Sequence, residues 1–198
     1  MLSMKKKAII LSSVITSSLG IYIIVSAIFP NKHVPNEFSE ARIKSSELAK
    51  TIVVLADNSL ENLDQIARLD QKKSFAEALN LVSEEITRNR EAHQEAIKLA
   101  SQLERMARSI TSIKPSEAQV FATEAVSSEV ALVSRLISYN DYLLQLFDVL
   151  GNKFQSGSNQ ANGKVGELIT KINEEARAIN SFDKKVSESL AEFDKLIQ

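Results

Sequence analysis

Val126–Leu150 reads VSSEVALVSRLISYNDYLLQLFDVL, an unbroken run without Gly or Pro. Two apolar series interleave in it. One is Val126, Val130, Val133, Ile137, Asn140, Leu144 and Phe147; the other is Leu132, Leu136, Tyr139, Leu143, Leu146 and Leu150. Both advance in steps of three and four, the period of one helix face. Two adjacent stripes need neighbours on two sides, so this helix is expected at the heart of an all-α bundle.

The pattern continues outward to a helix over about 117–153. Lys114-Pro115 breaks the chain before it, and Ser116–Gln119 (SEAQ) has the form of a capping box. Upstream, Leu79, Val82, Ile86, Asn89, His93, Ala96, Ala100, Leu103, Ala107 and Ile110 predict a helix over 75–113. Ser74–Glu77 (SFAE) is a second capping box at its start. Phe38, Ala41, Leu48, Ile52, Leu55, Leu63 and Ile66 predict another over 36–70, with Asn36 as N-cap and the polar break Asp70–Lys73 after it.

Beyond the central helix, Gln155–Gly163 (QSGSNQANG) reads as a flexible loop. A last helix, 163–197, carries Val165, Ile169, Ile172, Ala176, Ile179, Val186, Leu190, Phe193 and Ile197. Asp183 falls in one of its seam slots, and Phe182 is expected to turn inward in its place. Short connections between helices of about 50 Å imply antiparallel neighbours. The expected fold of residues 36–198 is an elongated up-down four-helix bundle. A three-helix bundle with the first helix as a stalk is the alternative.

The N-terminus is of a different kind. Residues 1–7 form a basic flank containing Lys5, Lys6 and Lys7, and Ala8–Phe29 carries no charge. A helix of that length spans roughly 30 Å of hydrocarbon, so 8–29 is read as a transmembrane anchor. A signal peptide cleaved after Val25-Ser26-Ala27 is the competing reading. The lysines before the segment favour a cytoplasmic N-terminus and an extracytoplasmic bundle; cleavage near Ala27 would make the domain secreted. Residues 30–35 (PNKHVP), bounded by Pro30 and Pro35, form a tether that does not continue the helix. No second hydrophobic span follows, so a single crossing is expected.

Composition narrows the function classes. The chain has 44% hydrophobic and 25% charged residues, in the range of folded proteins. With Lys5–Lys7 set aside, 21 of the 24 basic residues remain against 25 acidic ones. No basic block lies beyond the flank, so nucleic acid is not an expected partner. Cysteine is absent, which removes disulfides and thiolate chemistry. The two histidines, His33 and His93, are too separated for a metal site, and no nucleotide or hydrolase motif is present. Neither a cofactor, a metal nor a small-molecule substrate is expected, and the chain is read as no enzyme.

Two features remain. Folding the helices back on tight turns brings Asn89 level with Asn140, His93 one turn along, and Arg177 to the same height. Asn89, His93, Asn140 and Arg177 are therefore a candidate buried polar layer, whose plainest role is fixing register. Tyr142 and Asp141, in SYNDYLLQLF, are a candidate partner contact. The leading expectation is a membrane-anchored interaction or scaffold module that binds a protein partner or a second copy of itself. The alternative is a ligand-sensing bundle acting through a partner subunit.

Overall fold

The structure, a computed structural model, describes residues 32–156 and 162–198. They form four helices: α1 (Asn36–Lys72), α2 (Phe75–Ser109), α3 (Ser116–Ser156) and α4 (Asn162–Ile197), with a short 3-10 turn, Ile110–Ser112, closing α2. Cross-helix pairs give the directions. Ser45 meets Met106 and Asn62 meets Glu85 between α1 and α2. Asn89 meets Asn140 between α2 and α3, and Arg135 meets Glu175 between α3 and α4. Arg42 and Asp194 close the ring between α1 and α4. Between α1 and α2 one number rises as the other falls, and so it does between α2 and α3, where Val82 also lies beside Gly151, and between α3 and α4, where Tyr142 also meets Lys171, so consecutive helices are antiparallel. Lys153 Nζ, 2.6 Å from Asp70, joins the C-terminal ends of α1 and α3, which run the same way.

The core is continuous along the bundle, from Phe38 and Phe193 at one end to Phe154 and Leu168 at the other. The arcs it buries differ in detail from the seams read in the sequence. Along α2 the buried positions are Ala78, Val82, Glu85, Asn89, Ala92, Ala96, Leu99, Leu103, Met106 and Ser109. As far as Leu103 every second position agrees with the expected seam and the others fall one residue earlier; Met106 and Ser109 both fall one earlier. Leu79, Ile86 and His93 flank the interface half-buried, because α2 packs against both α1 and α3 and the centre of its face lies between the two. On α3 the same drift leaves Val130 52% exposed and buries Glu129 beside it. On α4 Asp183 is itself buried, and Phe182 packs only partly against the core.

The helix starts also depart from expectation. Neither Ser74 nor the residue before Asn36 makes a side-chain cap. Asn36 is the first residue of α1 rather than its cap, and Ser39 N–H bonds the Pro35 carbonyl. Gln119 turns back to the Ile113 carbonyl at 2.8 Å instead of closing a box with Ser116. The break after α1 is made by backbone: Lys73 takes a left-handed conformation, φ 60°, and the Ser74 N–H reaches the Leu69 carbonyl at 3.0 Å.

The last residues of the tether are held. His33 and Lys114 exchange two backbone hydrogen bonds, 3.1 and 2.7 Å, pinning the approach to α1 against the turn between α2 and α3. No helix among the described residues is long and apolar enough to cross a membrane. The segment 8–29, the basic flank 1–7, the start of the tether and residues 157–161 of the Gly/Ser loop lie outside the described residues.

Candidate functional site

The α1–α4 seam carries part of the bundle's polar interior. At the end where α1 begins and α4 finishes, the seam is clamped. Arg42 Nη1 and Nη2 donate to the two carboxylate oxygens of Asp194 at 2.6 and 2.8 Å, all of it buried. Phe193 stacks beside the pair, its ring 5.4 Å from Phe38 and 5.7 Å from the Arg42 guanidinium carbon. A planar fork on a carboxylate with an aromatic face behind it satisfies both charges.

Farther along the bundle the four helices together enclose a cavity of about 40 Å³. Ala49, Ile52 and Ala56 line it from α1, Leu99 from α2, and Ile179 and Val186 from α4. Small side chains on α1 leave the space open. Four polar residues project into this apolar sleeve: Glu129, Tyr139 and Asn140 from α3, and Asp183 from α4. They are 8%, 2%, 5% and 8% exposed. The Tyr139 hydroxyl, Asn140 Nδ2 and Asp183 Oδ1 are buried without a hydrogen-bond partner. Such atoms are uncommon in folded proteins, because each forfeits its hydration.

Electrostatics follow from this burial. Loss of water raises Glu129 to about 7; Arg42 pulls it back down and Asp183 pushes it up further. Desolvation also raises Asp183. Tyr139 is held well above the ordinary phenol range, by burial first and by the Asp57 carboxylate second. Burial thus favours the neutral forms of these groups, and Arg42, the cation that acts on Glu129, is itself engaged with Asp194.

The residues singled out in the sequence separate here. Asn89 and Asn140 meet, through Asn89 Nδ2 donating to the Asn140 backbone carbonyl at 2.9 Å rather than side chain to side chain. His93 is half-buried on the flank of α2. Arg177 is exposed; the Arg135–Glu175 contact sets Asn140 level with Thr170, about two helical turns from the tight-turn estimate. The layer is therefore Asn89 and Asn140, without Arg177. Asp141 is exposed and Tyr142 half-buried, with Lys171 Nζ 5.4 Å from its ring centroid.

Sequence reasoning passed over Glu129 and Tyr139 as site residues, and Glu85 as a buried one. Glu85 is fully buried between α1 and α2, where Asn62 Nδ2 donates to it at 2.6 Å and Arg88 pairs with it. The available signal was spacing: Glu85, Glu129 and Asp183 each sit three or four residues from buried neighbours on both sides. An open groove of about 780 Å³ lies between α3 and α4, bordered by Phe121, Ser128, Lys185 and Glu192. Among the described residues no group of three or more His, Cys, Asp or Glu is arranged to hold a metal ion. No protein-family model, curated protein or solved structure matches the chain.

Proposed function

We propose that this chain is a membrane-tethered interaction module: residues 8–29 anchor it, and the four-helix bundle binds a protein partner or a second copy of itself outside the cytoplasm. The His33–Lys114 backbone pair carries this reading. A chain that merely trailed from a membrane segment would need no fixed approach to the bundle. Here the approach is fastened to a second turn, which suits a post of about 52 to 62 Å held by one end. Its long helices then offer polar faces along their length, Asp141 and Tyr142 among them.

The test is a photo-activatable residue at position 141 in intact cells, combined with protease protection of the membrane fraction. The expected result is a larger cross-linked species and a protected orientation consistent with an anchored domain. Recovery of free monomer alone would reject the interaction module, and a wholly soluble product would reject the anchor.

The cavity among the four helices favours a second reading, a ligand-binding bundle that reports to a partner. Three buried polar atoms without partners support it. Thermal melts of the full chain against small solutes test it; a melting temperature indifferent to all of them counts against it.

A further inference from the structure

We propose that a second copy of this chain docks along the outer edge of α3, parallel to the first about a two-fold axis, with the contact running from Val120 to Ile137. This inference deepens the interaction-module reading by naming its partner, and rests on it.

Val120, Thr123, Ser127, Val130, Ser134 and Ile137 advance in steps of three and four along α3. They form a third seam beside the two that fill the core. Ile137 is half-buried and the other five are exposed, Val120 and Val130 by 56% and 52%. The seam rises about 26 Å without a charge, and Asp141 ends it. The exposed charges beside it belong to the α4 side: Glu124 borders the α3–α4 groove, and Arg135 meets Glu175. From α2, Ile97 adds an aliphatic side chain that is 54% exposed. The Asn89–Asn140 bond and the approach of Val82 to Gly151 set it about level with Ser134. On α1 the outcome is different. Ile43 and Val54 are just as exposed, but the charged Glu47 and Lys50 lie between them on one stripe, which is a solvated face. The hydroxyls of the α3 seam do not oppose burial. Thr123 Oγ1 already donates to the Gln119 carbonyl at 2.7 Å, a bond that helical serines also make.

Three observations point to a second copy as the occupant. First, a parallel two-fold sets each seam residue against its own counterpart, which a charged stripe forbids and an uncharged one permits. Second, the chain outside the structure, residues 1–31, departs from the foot of this seam. His33 is bonded to Lys114, and α3 begins at Ser116. Copies anchored in one membrane stand parallel, with their exits on the docked side. Third, Ser12, Thr16 and Gly20 in the anchor sequence are spaced four apart, the spacing at which small residues let two membrane helices approach closely. A strip of one helix about 26 Å long and roughly 10 Å wide falls short of the roughly 800 Å² per partner of a standard interface. Anchor packing and confinement to one membrane supply the remainder.

The chain has no Cys, so single cysteines report contacts without background. In membranes carrying the full chain, Val120→Cys, Ser127→Cys and Val130→Cys are each oxidised with copper–phenanthroline and the products sized. Lys50→Cys, exposed on α1, is the control. Disulfide-linked product of twice the chain's mass is expected at the three α3 positions, at least tenfold above the control. Ser127→Arg placed in the Val120→Cys chain should cut that product at least tenfold and leave the melting temperature unchanged, because position 127 is exposed. Equal yields at all four positions would mean random collision and would overturn the proposal. So would a yield indifferent to Ser127→Arg, or linking at 127 without linking at 120, the pattern of an antiparallel pair. If no α3 position gave dimer while position 141 still cross-linked to another protein, the second copy would be rejected and the interaction module would stand. Loss of both signals would reject both.

Discussion

The clamp lies between α1 and α4 and the cavity among all four helices, and the two treat buried charge in opposite ways. At the clamp, Arg42 and Asp194 satisfy one another through two hydrogen bonds, with Phe38 and Phe193 packed around them. In the cavity, Glu129 and Asp183 are buried as deeply but share a space in which polar atoms are left over. The first arrangement is explained by the fold alone. The second asks for something else, because a core free to choose its residues would fill that space with Leu or Ile. The difference shows where a buried carboxylate is structural and where it is available.

The largest effect should come from unbalancing the clamp. Arg42→Met leaves Asp194 buried without its partner and should cost about 3–5 kcal/mol in urea denaturation. Adding Asp194→Leu should recover most of that loss, since two apolar groups of similar volume can replace a buried pair. If the single variant lost less than 1 kcal/mol, the clamp would not differ from the cavity in the way described.

Next in size is the pH dependence of the cavity. In the unfolded chain Glu129 ionises near 4.5, and in the folded protein near 7. Between those values the folded state keeps a proton that the unfolded state has released, so stability falls as pH rises through this window and stays low above it. The contribution is on the order of 3 kcal/mol. Arg42 from α1 and Asp183 from α4 act on the group with opposite signs, and α2 adds the apolar Leu99 to the lining. Glu129→Gln should therefore narrow the stability difference between pH 5 and pH 8 and make the protein more stable at pH 8. An unchanged slope in that variant would remove Glu129 from the account.

The two asparagines sharpen the comparison on a smaller scale. Asn140 has a buried amide nitrogen with no partner, so Asn140→Leu should be neutral or stabilising by up to about 1 kcal/mol. Asn89 donates a good hydrogen bond, and Asn89→Leu should cost about 1 kcal/mol. Equal effects from the two would mean that pairing does not distinguish them. Arg177 is exposed, and Arg177→Ala should shift the denaturation midpoint by no more than about 0.5 kcal/mol.

The four helices were legible because their breaks carry chemistry that local rules recognise: Asp70–Lys73, Lys114-Pro115, and the Gly/Ser loop before α4. Which residues face inward was legible only in part. Ala78 and Leu79, Ala92 and His93, and Leu99 and Ala100 compete for alternate slots on α2; hydrophobicity favours the buried Ala92 and Leu99, but it also favours Leu79 over Ala78, which is the one buried. Packing does, since small side chains let helices approach and long ones reach the centre. The cavity was the least legible feature. Its carboxylates are residues that an apolar count pushes to the surface, and their burial depends on an arc defined jointly by α1, α3 and α4. Asn140 was visible because it interrupts an otherwise apolar stripe. Glu129 was hidden because Val130, beside it, was the more plausible occupant.

The pair of backbone bonds between His33 and Lys114 also has a mechanical meaning. Tension on the chain before Lys32 would not begin by unwinding the first turn of α1. It would load the bridge first, and through it the corner that joins α2 to α3. The bundle thus has an entry point for force that shares the load between the start of one helix and the junction of two others.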